Sequence, residues 1–324
     1  MTRRPRPGCP VPAREGVSPT RIRLPRDENY ASLAGFLAER FPPHDPEQVA
    51  QLMARGDVFS PDGLPLAPDA EYRPGGHVWV FRPLPEEPSL SDEIPVLYED
   101  DDLLVVDKPH GLPVTPRGGF VKQTAVTKLR VRTGNQDLSP VHRLDRLTAG
   151  VLIFAKTPRA RGPLQSLFEL QQVRKTYELI APLNPHPESD APERLPQHPE
   201  EPIRVRSRIV KDSSSLQARE VDGPANAVTG IRLIREFSGT PWGLYAAYPL
   251  SGKTHQIRVH MNHLGRPLLG DPLYPTIDDE ALRHPETRLQ LLAREISLRH
   301  PFTGDHLSVR SDRTLEIRTR PEDA

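Results

Sequence analysis

A single cysteine, Cys9, excludes an internal disulfide and any cysteine-based zinc site. No apolar run approaches the ~20 residues needed to cross a bilayer. The N-terminus Met1-Thr2-Arg3-Arg4-Pro5 carries charge without the apolar stretch of a secretory signal. These absences predict a cytoplasmic protein with no membrane partner. Net charge is also lacking: 43 basic residues balance 43 acidic ones. A nucleic-acid partner therefore cannot be argued from global charge and requires a local basic surface. Aromatic residues make up only 6% of the 324 positions, so the core is adequate rather than generous. Proline, by contrast, is abundant at 39 residues and implies many turns.

The leader, residues 1–26, is rich in Arg and Pro and reads as disordered. Residues 27–83 read as a small module. Leu33, Phe36, Leu37 and Phe41 have helical spacing, a second helix is expected over 46–54, and short strands and turns follow. A Pro/Glu-rich linker, 84–94, leads to a larger domain over 95–318. There, 95–98 and 103–106 read as buried strands around an acidic turn. Residues 151–155 form another apolar run, 165–172 have helical character, and 176–180, 228–235 and 243–248 are strand candidates. The Pro-, His- and Glu-bearing stretch 184–202 lacks periodicity and reads as a surface insertion.

Two dense clusters stand out. In His142-Arg143-Leu144-Asp145-Arg146 a carboxylate lies between two guanidiniums, just before the strand that begins after Gly150. A neighbouring guanidinium favours the charged form of a carboxylate. An anion so held is a candidate nucleophile or base, and the arginines are candidates for meeting an anionic substrate. The bland alternative is a structural ion pair. The second cluster runs from Ser251 to Gly265. Ile257, Met261 and Leu264 give one apolar helix face, which Thr254 can cap and Gly265 can end, with Arg258 early in the helix.

Two readings of the second cluster fail. Gly252-Lys253-Thr254 resembles the end of a phosphate-binding loop, but the required first glycine would fall at Ala247. The histidines do not make a metal site either. On a helix, His255 and His260 diverge by about 140°; His260 and His263 can share a face but lack a His-Glu-x-x-His pattern and a third ligand.

Together these stretches resemble the RluA-type pseudouridine synthases. The likeness runs from residue 95 to about 310 and rests on the order of several motifs. They are Asp107-Lys108-Pro109-His110-Gly111-Leu112, His142-Arg143-Leu144-Asp145 with Thr148 and Gly150, Arg174-Lys175-Thr176-Tyr177, Gly252 to His260, Gly270-Asp271-Pro272-Leu273-Tyr274, and His300-Pro301-Phe302-Thr303-Gly304. The resemblance implies a mixed α+β fold with a largely antiparallel sheet and a central cleft. It implies isomerisation of uridine to pseudouridine in structured rRNA or tRNA, by a monomer, without cofactor or metal. The uracil is detached at N1, rotated and rejoined to ribose through C5.

By motif match, Asp145 is the catalytic carboxylate, Tyr177 packs on the target base and helps remove the C5 proton, and Arg258 pairs with Asp145. Arg143 is expected to help extrude the nucleotide, and Arg146, Lys175 and His142 to contact RNA. Whether the aspartate attacks the sugar or deprotonates it is open at this level. Residues 30–90 resemble a degraded S4-type RNA-binding domain whose helices are short of basic residues. Asp107 stands where the family often has Asn. A catalytically silent RNA-binding protein on the same fold, or a metal-dependent hydrolase, would be the competing readings.

Overall fold

The computed structural model describes residues 9–41, 46–84, 86–187, 189, 195, 202–283 and 288–317. The chain divides into two compact units: Met1–Glu87 with Gly118–Lys122, and Pro88–Arg117 with Gln123–Ala324.

The first unit contains β1 (Thr20–Arg23), α1 (Leu33–Arg40), α2 (Pro46–Ala54), β2 (Val58–Phe59) and β3 (His77–Val80), with strand order β1-β3-β2. Helix α1 starts where expected because Ser32 Oγ accepts the Gly35 N–H at 3.1 Å. Its buried face, Leu33, Phe36 and Leu37, packs with Val49, Met53, Ile22 and Val78. The expected disordered leader is corrected over its described part. Residues 20–23 form a strand antiparallel to β3, and Val11, Ile22 and Leu24 are buried. In Arg21-Ile22-Arg23-Leu24 apolar residues alternate with arginines, the period of a half-buried strand; the overall Arg/Pro composition concealed it. Residues 1–8 lie outside the described residues.

The second unit is built on one large sheet. Its elements are β4 (Val96–Glu99), β5 (Leu103–Lys108), α3 (Ala125–Thr133), β6 (Ser139–Pro140), β7 (Ala149–Ala155), α4 (Pro158–Glu169), β8 (Arg174–Pro182), β9 (Ile203–Lys211), β10 (Ala218–Val221), β11 (Ala227–Glu236), β12 (Trp242–Pro249), α5 (Gln256–His263), α6 (Asp279–Arg283), β13 (Leu291–Arg299) and β14 (His306–Arg310). Strand order is β10-β9-β11-β12-β8-β13-β7-β5-β4, with β14 on β13 and β6 on β7. Among the described residues every pairing is antiparallel except β7 with β13. This is the mixed, antiparallel-rich architecture expected from the sequence.

Strands β5 and β7 are buried along their whole length, which explains their unbroken apolar runs. The linker boundary shifts: Ile94 is buried in the core with Leu104, Leu112 and Leu129, so its last residues belong to the second unit. Most of the 184–202 insertion lies outside the described residues. Where described it is tied down, because the His186 N–H donates to Gly265 O and Leu195 is buried beside Leu264 and Leu268.

Gly150 allows the parallel β7–β13 contact. Its φ is +112°, and a Cβ there would stand 2.2 Å from Ala293 O. Both backbone conformation and space therefore require glycine. Gly111 also has positive φ, +81°, but nothing lies within 4 Å of its would-be Cβ. Gly150→Ala is expected to cost more than about 3 kcal/mol or prevent folding, and Gly111→Ala about 1 kcal/mol. Denaturant unfolding of the two variants measures this; equal losses would contradict the close approach.

Candidate active site

The turn that presents Asp145 is fixed from three sides. Thr148 N–H donates to Asp145 O at 3.0 Å, and β7 begins at the next residue. Val141 N–H bonds to Ile153 O at 3.1 Å on the entering side. Beneath it lies Lys108, fully buried at the end of β5. Its ammonium donates to Pro109 O (3.0 Å), Leu112 O (2.8 Å) and Arg146 O (3.2 Å). Burial pulls its pKa down to about 7, while Asp145 acts in the opposite sense.

Helix α5 brings Arg258 to the same place. Two side chains one turn apart bolt this helix to the sheet. Gln256 Nε2 donates to Val228 O (3.1 Å) and Thr229 Oγ1 (2.9 Å). His260 Nδ1 lies 2.8 Å from Thr229 Oγ1, and its Nε2 lies 3.1 Å from Ser207 Oγ. The Gln256 carbonyl also accepts from Ser251 Oγ and the Lys253 N–H, fixing the loop before the helix. The expected cap is corrected: Thr254 does not cap α5. The cap position is His255, in the left-handed region at φ +58° and without a side-chain capping bond.

Arg258 is 2% exposed and meets two carboxylates. Asp271, itself fully buried, receives Nε at 2.7 Å and one terminal nitrogen at 2.5 Å. The other terminal nitrogen lies 3.9 Å from Asp145, whose side chain is 26% exposed. Burial opposes the charge of Arg258, but Asp271, and then Asp145, push its pKa above the usual value. The Tyr274 ring lies 5.2 Å from the guanidinium carbon. Asp271 is held in turn by the N–H groups of Leu273 (2.9 Å) and Tyr274 (3.3 Å). One guanidinium is thus anchored on a buried carboxylate and aimed at a half-exposed one.

Asp145 and Arg258 border a cavity of about 500 Å³, within the ~300–1,000 Å³ of small-molecule sites. Asp145, Tyr177, Arg258, Arg143, Lys175 and His142 all line it. Burial, and then Asp145, push the Tyr177 pKa up, so its phenol stays protonated. Lys175 Nζ donates to Ser251 O at 3.0 Å, and burial pulls its pKa to about 8. Arg143 is exposed on the rim.

Arg146 is not among the lining residues; its backbone carbonyl serves Lys108. His142 is committed to the scaffold, accepting the Ile153 N–H on Nε2 (3.1 Å) and stacking on Phe168 with centroids 4.6 Å apart. Burial, then Lys175, lower its pKa to about 3, so it offers RNA no charge. The remaining α5 histidine, His263, bonds Glu220 at 2.9 Å. Among the described residues no three His, Cys, Asp or Glu side chains are grouped to hold a metal.

The sequence reading gave no role to Asp271 or Lys108, though both lie inside its motifs. A buried charge needs a partner, and an arginine between the apolar Ile257 and Val259 on a helix without a carboxylate signals that one must come from elsewhere.

The family model for RNA pseudouridylate synthase matches residues 102–263. Ribosomal large subunit pseudouridine synthase D of Xanthomonas campestris is 33% identical over 272 residues, spanning 80% of this chain and 75% of the relative. The mitochondrial tRNA pseudouridine(32) synthase of Saccharomyces cerevisiae is 32% identical over 189 residues, spanning 58% of this chain and 38% of the relative. The solved structure of human RNA pseudouridylate synthase domain containing 1 shares the fold, with a TM-score of 0.53, 22% identity, and coverage of 70% of this chain and 86% of that one.

Proposed function

The chain belongs to the RNA pseudouridylate synthase family, whose reaction is the isomerisation of uridine to pseudouridine in RNA, and we propose that Asp145 carries that reaction here on structured rRNA or tRNA. The observation that carries the assignment is the guanidinium fixed by Asp271 and aimed at Asp145 in the wall of a nucleotide-sized cavity.

In the reaction the N1–C1′ bond breaks, a C5–C1′ bond forms, the C5 proton leaves and N1 gains one. Atoms and charge balance with no co-reactant. Attack on C1′ and removal of a sugar proton both require an ionised carboxylate at a fixed place. Arg258 fixes that place: its guanidinium faces Asp145 at 3.9 Å, and its anchor on Asp271 removes its freedom to follow another partner. Tyr177 offers a ring face for the uracil and a neutral phenol next to Asp145.

A paired uridine reaches such a cavity only by leaving its stack. Arg143, exposed on the rim, is placed to fill the gap left in the RNA. Lys175 adds positive charge beside the opening, giving a local basic edge to a chain of zero net charge. Every side chain used comes from residues 143–271, and the reading is of a protein that acts as a monomer. No helix among the described residues is long and apolar enough to cross a membrane, in keeping with a cytoplasmic place of action.

Two results follow. Asp145→Asn is expected to lower pseudouridine formation by at least about a thousandfold while leaving RNA affinity within about threefold; product is read by mass spectrometry and affinity by filter binding. Full activity in that variant refutes the assignment. The Lys175 ammonium, with its pKa near 8, is charged at pH 7 and mostly neutral at pH 9. RNA affinity at low salt is therefore expected to weaken roughly threefold to tenfold over that range, and Lys175→Arg, which stays charged, to flatten the profile. A wild-type profile that is already flat removes Lys175 from the RNA contact.

A further inference from the structure

His255 occupies a backbone conformation that histidine rarely adopts. Its φ is +58° and ψ +17°, and it heads α5 without capping it. Asn, Asp, Ser or Thr would serve there as a cap. A side chain held in this region persists where its surroundings over-determine it, and such positions cluster at working sites.

The surroundings fix the ring as well. His255 Nδ1 lies 3.0 Å from Tyr274 Oη. That oxygen already accepts the Ala218 N–H at 2.8 Å and donates its own proton to Ala218 O at 2.7 Å. A phenol has one proton, and it is spent on Ala218. The imidazole must therefore donate, so Nδ1 carries the hydrogen. Burial, against the pull of Asp145, lowers the ring's pKa to about 4, so it carries only that hydrogen at neutral pH. Nε2 is left with a bare lone pair. Among the described residues nothing donates to it, and His255 lines the cavity together with Asp145 and Tyr177. The site thus contains a rigid, neutral acceptor of fixed tautomer.

Uracil and cytosine differ at the atom such an acceptor reads. Uracil N3 carries a hydrogen, whereas cytosine N3 is itself an acceptor. We propose that His255 Nε2 accepts the N3–H of the extruded uracil and so makes the cavity select uridine over cytidine. This rests on the reading of the cavity as the uridine site. Cytidine would set two lone pairs against each other and leave a buried acceptor unpaired, which is how a hydrogen-bonding site rejects a near-isostere. The ribose 2′-hydroxyl is another donor in the same nucleotide, and the test separates the two.

His255→Asn is the discriminating variant. Asparagine tolerates the left-handed region, and its amide nitrogen takes the place of Nδ1 toward Tyr274. It lacks only the far acceptor. Binding is measured with Asp145→Asn protein, which holds RNA without turnover, with and without His255→Asn. The probe is a synthetic stem-loop that the wild-type enzyme modifies, carrying at the target position uridine, cytidine, 3-deazauridine (which lacks the N3 donor) or 2′-deoxyuridine. With His255 present, uridine RNA is expected to bind roughly tenfold to a hundredfold tighter than the cytidine and 3-deazauridine forms. With His255→Asn these ratios should collapse to within about twofold, with thermal unfolding unchanged. Equal ratios in the two proteins, including no discrimination in either, overturn the proposal. A ratio that collapses only for the 2′-deoxy form moves the contact to the ribose and overturns it too. Wild-type protein that forms no pseudouridine on any RNA would instead sink the uridine-site reading, so the two failures are distinguishable.

Discussion

The guanidinium of Arg258 lies out of water between two carboxylates that it treats differently. Asp271, wholly buried, binds it through two nitrogens at 2.5 and 2.7 Å. Asp145, at the cavity wall, faces the remaining terminal nitrogen at 3.9 Å. Burying one ion pair rarely adds net stability, because desolvation offsets the Coulomb attraction. What this arrangement supplies is direction. The short bidentate bond fixes the plane of the arginine, and the longer contact leaves Asp145 oriented and still open to a substrate. A reaction that breaks and remakes a sugar–base bond in one cavity needs that combination of charge and access.

Much of the second unit serves to keep those groups registered. Thr229 on β11 receives both Gln256 and His260, so α5 cannot slide along the sheet without losing both. Gln256 also grips the Ser251–Lys253 loop, and Lys175 on β8 binds the same loop at Ser251. On the other side Lys108 draws three carbonyls around one ammonium, one of them next to Asp145. Lys108, Thr229, Gln256 and His260 are buried and hydrogen-bonded, so displacing any of them leaves a partner unsatisfied. The fully buried strands β5 and β7 form the floor beneath Asp145 and Lys108.

The sequence made the fold class and the candidate site readable, because the motifs around Asp145, Tyr177 and Arg258 carry unusual residue types in a set order. Helix α1 followed from the spacing of its apolar residues, and the strands around β8, β11 and β12 were also expected. What stayed hidden depended on three-dimensional closure. Asp271 looks like a turn residue until the fold delivers Arg258 to it. Lys108 looks solvated until three carbonyls converge on it. The sequence gives no sign that one His142 nitrogen accepts the Ile153 N–H. The short strand Thr20–Arg23 was masked by the composition of its flanks, since two buried residues, Ile22 and Leu24, are too few to shift a segment average.

The claim that a fixed guanidinium, and not positive charge alone, sets the site is tested most directly by Arg258→Lys. Lysine keeps the charge but cannot bind Asp271 through two nitrogens and face Asp145 at once. Pseudouridine is mapped across total RNA from cells lacking the gene and supplied with either wild type or Arg258→Lys at equal protein level. The account predicts that sites restored by wild type stay unmodified with the lysine variant; their full restoration by Arg258→Lys would contradict it.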